Sequence, residues 1–414
     1  MLLRKSYVIG VVLFAMLVGC APVAPPSETT PSETTPSEAS GPAGVPTANL
    51  ADGCVTGYDV AVDYFPDKVT LEQTTGFAVE YHNHYKVVTI KTPWQGATEP
   101  LRYALVQCGT PAPEGFTDQE IIQVPVQRFV GMSTTYLPVL EQLGVLDRLV
   151  GLDDITYVNN AAVQAMDKAG KLKYIGYGAN VNVEQALELE PDLILTYAVG
   201  GSDYDAHPKL LEAGLKVVVE SSWLDNSPLA RTEWIKFIAL FFNKEAEATQ
   251  VFSATADRYT KLAALAADVT DRPTAFTDTV YQGTWYMPGG QSYFARYLAD
   301  AGADFLWAED TAAGSVPLSF ESVFDRAKDA QFWFNQGYVN SLDELLAADE
   351  RYSDFAAFQQ GQVWNNNARV NANGGIDYYE SGSANPDVVL ADLIKILHPE
   401  LLPDHELVYY RQLQ

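Results

Sequence analysis

Asn182-Val183-Glu184-Gln185-Ala186-Leu187-Glu188-Leu189-Glu190-Pro191-Asp192-Leu193-Ile194-Leu195-Thr196-Tyr197 holds a helix, a stop and a strand in sixteen residues. Asn182 is a good helix cap, and Glu184 sits where a negative charge favours the helix start. Residues 185–189 continue the helix and Pro191 follows its end. Leu193-Ile194-Leu195 is then an unbroken apolar run, as a strand covered on both faces requires. A helix feeding a doubly buried strand is the repeating unit of a parallel sheet.

The unit recurs in both directions. Upstream, residues 126–131 read as a strand, and Ser133-Thr134-Thr135 caps a helix carrying Leu137, Val139, Leu140 and Leu143. Gly144 stops that helix, and residues 145–152 lead into the next strand. Downstream, residues 209–213 form a short helix ended by Gly214, before the strand Val217-Val218-Val219. Ser227-Pro228 opens a helical stretch with Trp234, Phe237, Ile238, Phe241 and Phe242 on one face and Asn243 as its stop. Residues 244–267 contain neither proline nor glycine and predict roughly 35 Å of helix. A second α/β series follows, with strands at 275–281, 330–334 and 361–364 and helices at 292–301, from 320, at 341–348 and at 387–397. Before residue 124 the chain is β-rich, with strands expected at 60–64, 69–71, 77–81, 85–90 and 103–106.

The expected fold class is therefore α/β: two α/β lobes joined by a single long helix, with an extra β-rich N-terminal segment. The boundaries fall at 1–19, a signal peptide; 20–53, a disordered tether; 54–123, the β-rich segment; 124–243, the first lobe; 244–268, the linking helix; and 269–414, the second lobe. Arg4-Lys5 and the apolar run 7–18 are a secretory leader, too short for a comfortable membrane span. Leu17-Val18-Gly19-Cys20 resembles a bacterial lipobox, with Cys20 the lipidated first residue of the mature protein. Pro-Ser-Glu-Thr-Thr occurs twice in 26–35 and has nothing to bury, so the segment reads as a mobile stalk. The protein is expected outside the cytoplasm, lipid-anchored to the outer face of the cell membrane.

A net charge of −27 makes a poor nucleic-acid binder and leaves acyl chains as the grip on a membrane. Of three cysteines, Cys54 and Cys108 remain after Cys20, and an oxidising compartment favours a disulfide between them over a metal site without CxxC spacing. His82 and His84 share a strand face but read as half-exposed histidines rather than a metal pair.

The two α/β halves follow a matching plan, with Val183-Glu184 through Pro191-Asp192-Leu193-Ile194 in the first and Phe320-Glu321 through Asp329-Ala330-Gln331-Phe332 in the second. With Leu143-Gly144-Val145-Leu146-Asp147-Arg148-Leu149-Val150-Gly151, and the tail from Asn385-Pro386-Asp387 to His398-Pro399-Glu400, the chain resembles the substrate-binding lipoproteins of ABC importers for iron-siderophore complexes, haem and vitamin B12. The resemblance covers residues 124–405. It implies a ligand held between two lobes, no catalysis, and no resident cofactor or metal. The implied partners are a ferric siderophore or related chelate and the permease subunits of an ABC transporter, the protein being a monomer. It also implies that Glu184 and Glu321 dock on permease arginines, a role that suits exposed carboxylates at helix starts.

Ligands of such sheets sit beyond the carboxyl ends of strands. That selects Ser133, Thr134, Tyr136, Tyr157, Tyr177, Tyr197 and Trp223 in the first half. In the second it selects Trp285, Tyr286, Arg369, Asn373 and Tyr378. Aromatic rings beside amides suit a bulky, partly apolar ligand with polar edges, and Arg369 is the expected anion contact. Cobalamin or haem binding fits the same reading. Free-metal binding is disfavoured because no histidine lies in these loops. A secreted α/β enzyme is the alternative of a different class, but no nucleophile elbow, His-Glu-x-x-His or phosphate loop occurs, and Asp153-Asp154 reads as a solvated turn.

Overall fold

Strands that are apolar on both faces pair with one another and leave their faces to helices. In the computed structural model, which describes residues 45–201 and 203–414, Phe129–Gly131, Leu149–Leu152, Lys173–Tyr174, Leu193–Thr196 and Val217–Val219 form a five-stranded parallel sheet. In chain order the strands lie third, second, first, fourth, fifth across the sheet. The winding reverses between Phe129–Gly131 and Leu193–Thr196, and such a reversal opens a crevice beyond their carboxyl ends. The cap at Asn182 forms, its side chain accepting from the Gln185 N–H at 3.0 Å.

The second sheet holds Thr274–Thr277, Asp304–Phe305, Phe332–Phe334 and Val363–Asn365 in parallel, with Arg411–Gln412 antiparallel at one edge. Between the two sheets in the chain lies the 23-residue helix Glu245–Ala267. Its Ala248 and Phe252 belong to the core of the first sheet, its Tyr259 and Ala266 to that of the second. One helix thus helps to close both cores.

The β-rich segment is a four-stranded sheet of Phe77–Tyr81, Tyr85–Ile90, Leu101–Gln107 and Ile121–Val124, the last pair parallel. The strands expected at 60–64 and 69–71 do not form. Asp59 and Asp63 accept from the N–H groups of Ala61 and Phe65, both at 2.9 Å, and fold that stretch into turns. Beyond it, the buried Glu233 carboxylate accepts from the N–H groups of Glu72, Gln73 and Thr74 at 2.7–2.8 Å. Lys236 donates to the Thr70 carbonyl at 2.7 Å. Side chains of the first half therefore take the place of a partner strand.

Cys54 and Cys108 are disulfide-bonded. Part of the segment expected to be tether is tied to the body: Asn49 exchanges hydrogen bonds with Asp67, and Asn243 donates to the Leu50 carbonyl at 2.7 Å. Cys20 and the leader lie outside the described residues. The single strand expected at 275–281 is broken at Asp278, where φ is 65°. The stretch from 227 to 243 is two short helices, Pro228–Thr232 and Ile235–Ala239. Among the described residues no helix is long and apolar enough to cross a membrane.

Lys86 and Glu245 form an ion pair at 2.7 Å with no side-chain exposure on either side. Lys86→Met leaves that carboxylate buried without its counter-charge, so it is expected to cost about 3–5 kcal/mol in urea unfolding. The double substitution Lys86→Met with Glu245→Leu should recover most of the loss, because breaking such a pair costs more than replacing it.

Candidate ligand cleft

A cavity of about 420 Å³ opens at the crevice that the strand order predicts. Ser133 and Tyr136 reach it from the segment after Phe129–Gly131, and Tyr197 and Val199 from the segment after Leu193–Thr196. Glu220, Ser222 and Trp223 follow Val217–Val219, while Arg231, Thr232 and Trp234 complete this wall. The opposite wall comes from the second half: Tyr293 and Tyr297 on the helix Tyr293–Asp300, then Tyr378, Tyr379 and the turn Gly382-Ser383-Ala384. The cavity is therefore bounded by both halves of the chain.

Most of its lining is apolar or aromatic, and its polar groups are few and placed. Tyr136 is 2% exposed and its hydroxyl has no hydrogen-bond partner among the described residues; the Trp223 indole N–H is likewise buried and unpaired among them. Burial raises the Tyr136 pKa well above the ordinary value, and the nearby Glu220 and Asp153 carboxyls add to the rise. Glu220 accepts from the Ser222 N–H at 2.8 Å. Burial nevertheless raises its pKa from 4.5 to about 7, the Asp225 charge pushing in the same direction and Arg231 opposing it. Asp153 is raised to about 6, again chiefly by burial. Arg231 donates to the carbonyls of Asp225 at 2.8 Å and Trp223 at 2.6 Å, and its guanidinium lies 3.7 Å from the centre of the Tyr293 ring.

The walls are tied together near the cavity. Glu380 accepts from the N–H groups of Asn159 and Asn160, both at 2.6 Å. Asn371 donates to the carbonyls of Thr156 and Val158 at 3.0 and 3.1 Å, and Asn373 to that of Thr156 at 3.3 Å. The β-rich segment braces the first wall from behind. Asp225 accepts from both the Thr74 hydroxyl and the Trp234 indole, at 2.6 and 2.7 Å, and Ser221 donates to the Pro93 carbonyl at 2.7 Å.

Of the residues singled out from sequence, Ser133, Tyr136, Tyr197, Trp223 and Tyr378 line the cavity. Thr134 sits between two lining residues without being one. Tyr157 and Tyr177 are more than half exposed and stand outside it, as does Tyr286. Asn373 bridges the halves rather than lining the space between them. Two more lie elsewhere. Trp285 is fully buried in the second core, on the strand Thr284–Pro288, with its indole donating to the Thr277 carbonyl at 2.8 Å. Arg369 is not in the lining and pairs with Asp377 at 3.2 Å; the arginine at the cavity is Arg231. Glu220, Arg231 and Tyr297 also line the cavity and were missed. Glu220 had a readable signal, since it directly follows the strand Val217–Val219. His82 stacks on the Tyr85 ring, and His84 packs edge-on against the same ring and shares a hydrogen bond with the Tyr58 hydroxyl.

Two α/β sheets joined through one helix, with a cavity between their halves, define the architecture of a solute-binding protein. The chain belongs to the periplasmic binding protein family, whose sequence profile matches residues 130–369. It is 28% identical over 291 residues to the uncharacterized lipoprotein MJ0878 of Methanocaldococcus jannaschii, covering 68% of this chain and 67% of that one. Among solved structures, a periplasmic haem-binding protein of Pseudomonas aeruginosa superposes with a TM-score of 0.53 at 19% identity, over 70% of this chain and 98% of that one. The molybdate-binding protein MolA of Haemophilus influenzae does so with a TM-score of 0.53 at 19% identity, over 69% and 90%.

A buried carboxyl with a raised pKa makes stability depend on pH. The folded state keeps the Glu220 proton between the ordinary 4.5 and about 7, where the unfolded chain has lost it. Its contribution is whole below the lower value and is lost as pH rises through the upper one. Glu220→Gln, which stays neutral, should therefore raise stability by about 1–3 kcal/mol near pH 8 and hardly change it near pH 4.5. Thermal unfolding at the two pH values checks this.

Proposed function

We propose that this chain is an extracytoplasmic lipoprotein, anchored through Cys20, that binds an iron-siderophore-type complex in the cleft and delivers it to an ABC importer. The observation that carries the reading is the lining of the cavity. Six tyrosines and two tryptophans surround about 420 Å³ with a single arginine among them. Such a surface suits a bulky ligand with an apolar shell and a few polar edges, and the volume falls within the about 300–1,000 Å³ of small-molecule pockets. A bare oxyanion such as molybdate needs converging donors instead. Here the arginine is already committed to two carbonyls and a ring face. The relative named as a lipoprotein supports the anchor, and the family supports the location.

Haem or cobalamin in the same cleft is the second reading. The aromatic walls favour it, since flat rings stack on them and a phenol is a known type of haem ligand. A tryptophan-fluorescence titration separates these readings, because Trp223 and Trp234 line the cavity. The purified full-length chain is titrated with hydroxamate and catecholate ferric siderophores, haem, cobalamin, Fe³⁺ and Zn²⁺, with free tryptophan correcting for absorbance. Saturable binding of a ferric siderophore is the expected result. Binding of the free ions alone, or of none, overturns the proposal.

Glu184 and Glu321 are both exposed in the first turns of their helices, Val183–Glu188 and Phe320–Ala327. Glu321 keeps 73% of its side chain exposed while touching Arg351 at 3.3 Å, which leaves it available to a second cation. Both are assigned to permease docking. Glu184→Ala with Glu321→Ala should abolish uptake and leave the fluorescence titration unchanged; unaltered uptake would refute the assignment.

A further inference from the structure

We propose that the ligand carries a cationic arm, an ammonium or a similar group, which seats on Glu220 while its acceptor oxygens take the Tyr136 hydroxyl and the Trp223 indole N–H. This rests on the uptake reading above and narrows it to chelates with a positively charged substituent.

The geometry supplies three groups on one wall. Tyr136 and Trp223 present buried donors that have no acceptor among the described residues. An unpaired buried donor is costly, and a bound acceptor would recover that cost. Glu220 is 5% exposed, lines the same cavity and pairs with no cation among the described residues. The charges facing it do not substitute for one. Asp225, on the loop beyond it, is itself acidic, while Asp153 and the phenols of Tyr136 and Tyr197 crowd the same wall. Arg231 from the helix Pro228–Thr232 is the one positive group facing it among the described residues, and it is turned to the Asp225 and Trp223 carbonyls and the Tyr293 ring. A buried carboxyl in this setting holds its proton until a cation arrives. Burial raises the Glu220 pKa to about 7, so a cationic ligand displaces that proton and binds more tightly as pH rises from about 5.5 to about 8.

A matched pair of probes isolates the charge: ferrioxamine B, with a free amine, and its N-acetylated form, which keeps the shell and loses the charge. Both are titrated into the wild-type chain and into Glu220→Gln, near pH 5.5 and near pH 8, beside haem and trianionic ferric enterobactin. We expect ferrioxamine B to bind at least about tenfold more tightly than the acetylated form near pH 8. The gap should shrink near pH 5.5 and close in Glu220→Gln. Equal binding of the pair, a gap that survives in Glu220→Gln, or binding confined to haem or ferric enterobactin overturns the cationic arm and leaves the uptake reading standing. Binding of no chelate in the wider panel removes both.

Discussion

A lysine with no exposure to water holds three parts of this chain at one point. The Lys86 ammonium has three protons, and each has an acceptor: the Leu240 carbonyl at 2.6 Å, the Asn243 amide oxygen at 2.9 Å and the Glu245 carboxylate at 2.7 Å. The first lies at the end of the short helices that back the cleft, the second at the turn, and the third at the start of the helix Glu245–Ala267. Lys86 itself comes from the central part of the N-terminal sheet. Burial lowers its pKa and the Glu245 charge opposes that shift. Such a pair is a costly way to stabilise a fold, because both ions give up their hydration. What it provides is direction: the three acceptors must meet at one nitrogen, so the sheet, the turn and the long helix have a fixed relation.

That relation passes to the cleft. Three residues before Lys236, Glu233 gathers the N–H groups of residues 72–74, and Lys236 closes on it at 2.8 Å. Thr74 is then in place to hold Asp225, which holds the Trp234 indole at the cavity wall. The β-rich segment, larger than the resemblance to importer lipoproteins accounts for, is thus continuous with the ligand wall through two buried charge clusters. On the far side, Tyr259 and Ala266 carry the same helix into the second core, from which Tyr293, Tyr297 and Tyr378 face the first wall. Recognition by an aromatic cleft needs this rigidity, since flat rings discriminate by position.

The fold was legible wherever its signals are local. Asn182, Gly144, Gly214 and Ser227 terminate or cap helices by side-chain and backbone preferences that act within a few residues, and the structure keeps the caps of Asn182 and Ser227. The apolar strands at 193–196 and 217–219 are read from composition alone. The failures are nonlocal. Val60-Ala61-Val62 alternates like a strand, but neighbouring aspartates capture its backbone. Trp285 looked like a loop aromatic because nothing near it in sequence says that 284–288 will pair with 315–318. Arg369 was chosen for being basic in an acidic region, and that scarcity equally well makes it the partner of Asp377. Arg231 sits on a short helix whose orientation toward the cleft depends on packing that sequence periodicity does not report.

The most direct test of the account is the position of the metal in a crystal of the full chain grown with the ferric chelate that binds most tightly. Anomalous scattering from iron locates it without assumptions about the organic shell. The account predicts one iron between the wall of Tyr136, Glu220 and Trp223 and the wall of Tyr293 and Tyr378. Iron bound elsewhere, on the N-terminal sheet near His82 and His84 or on an outer face, with the cleft empty, would contradict it.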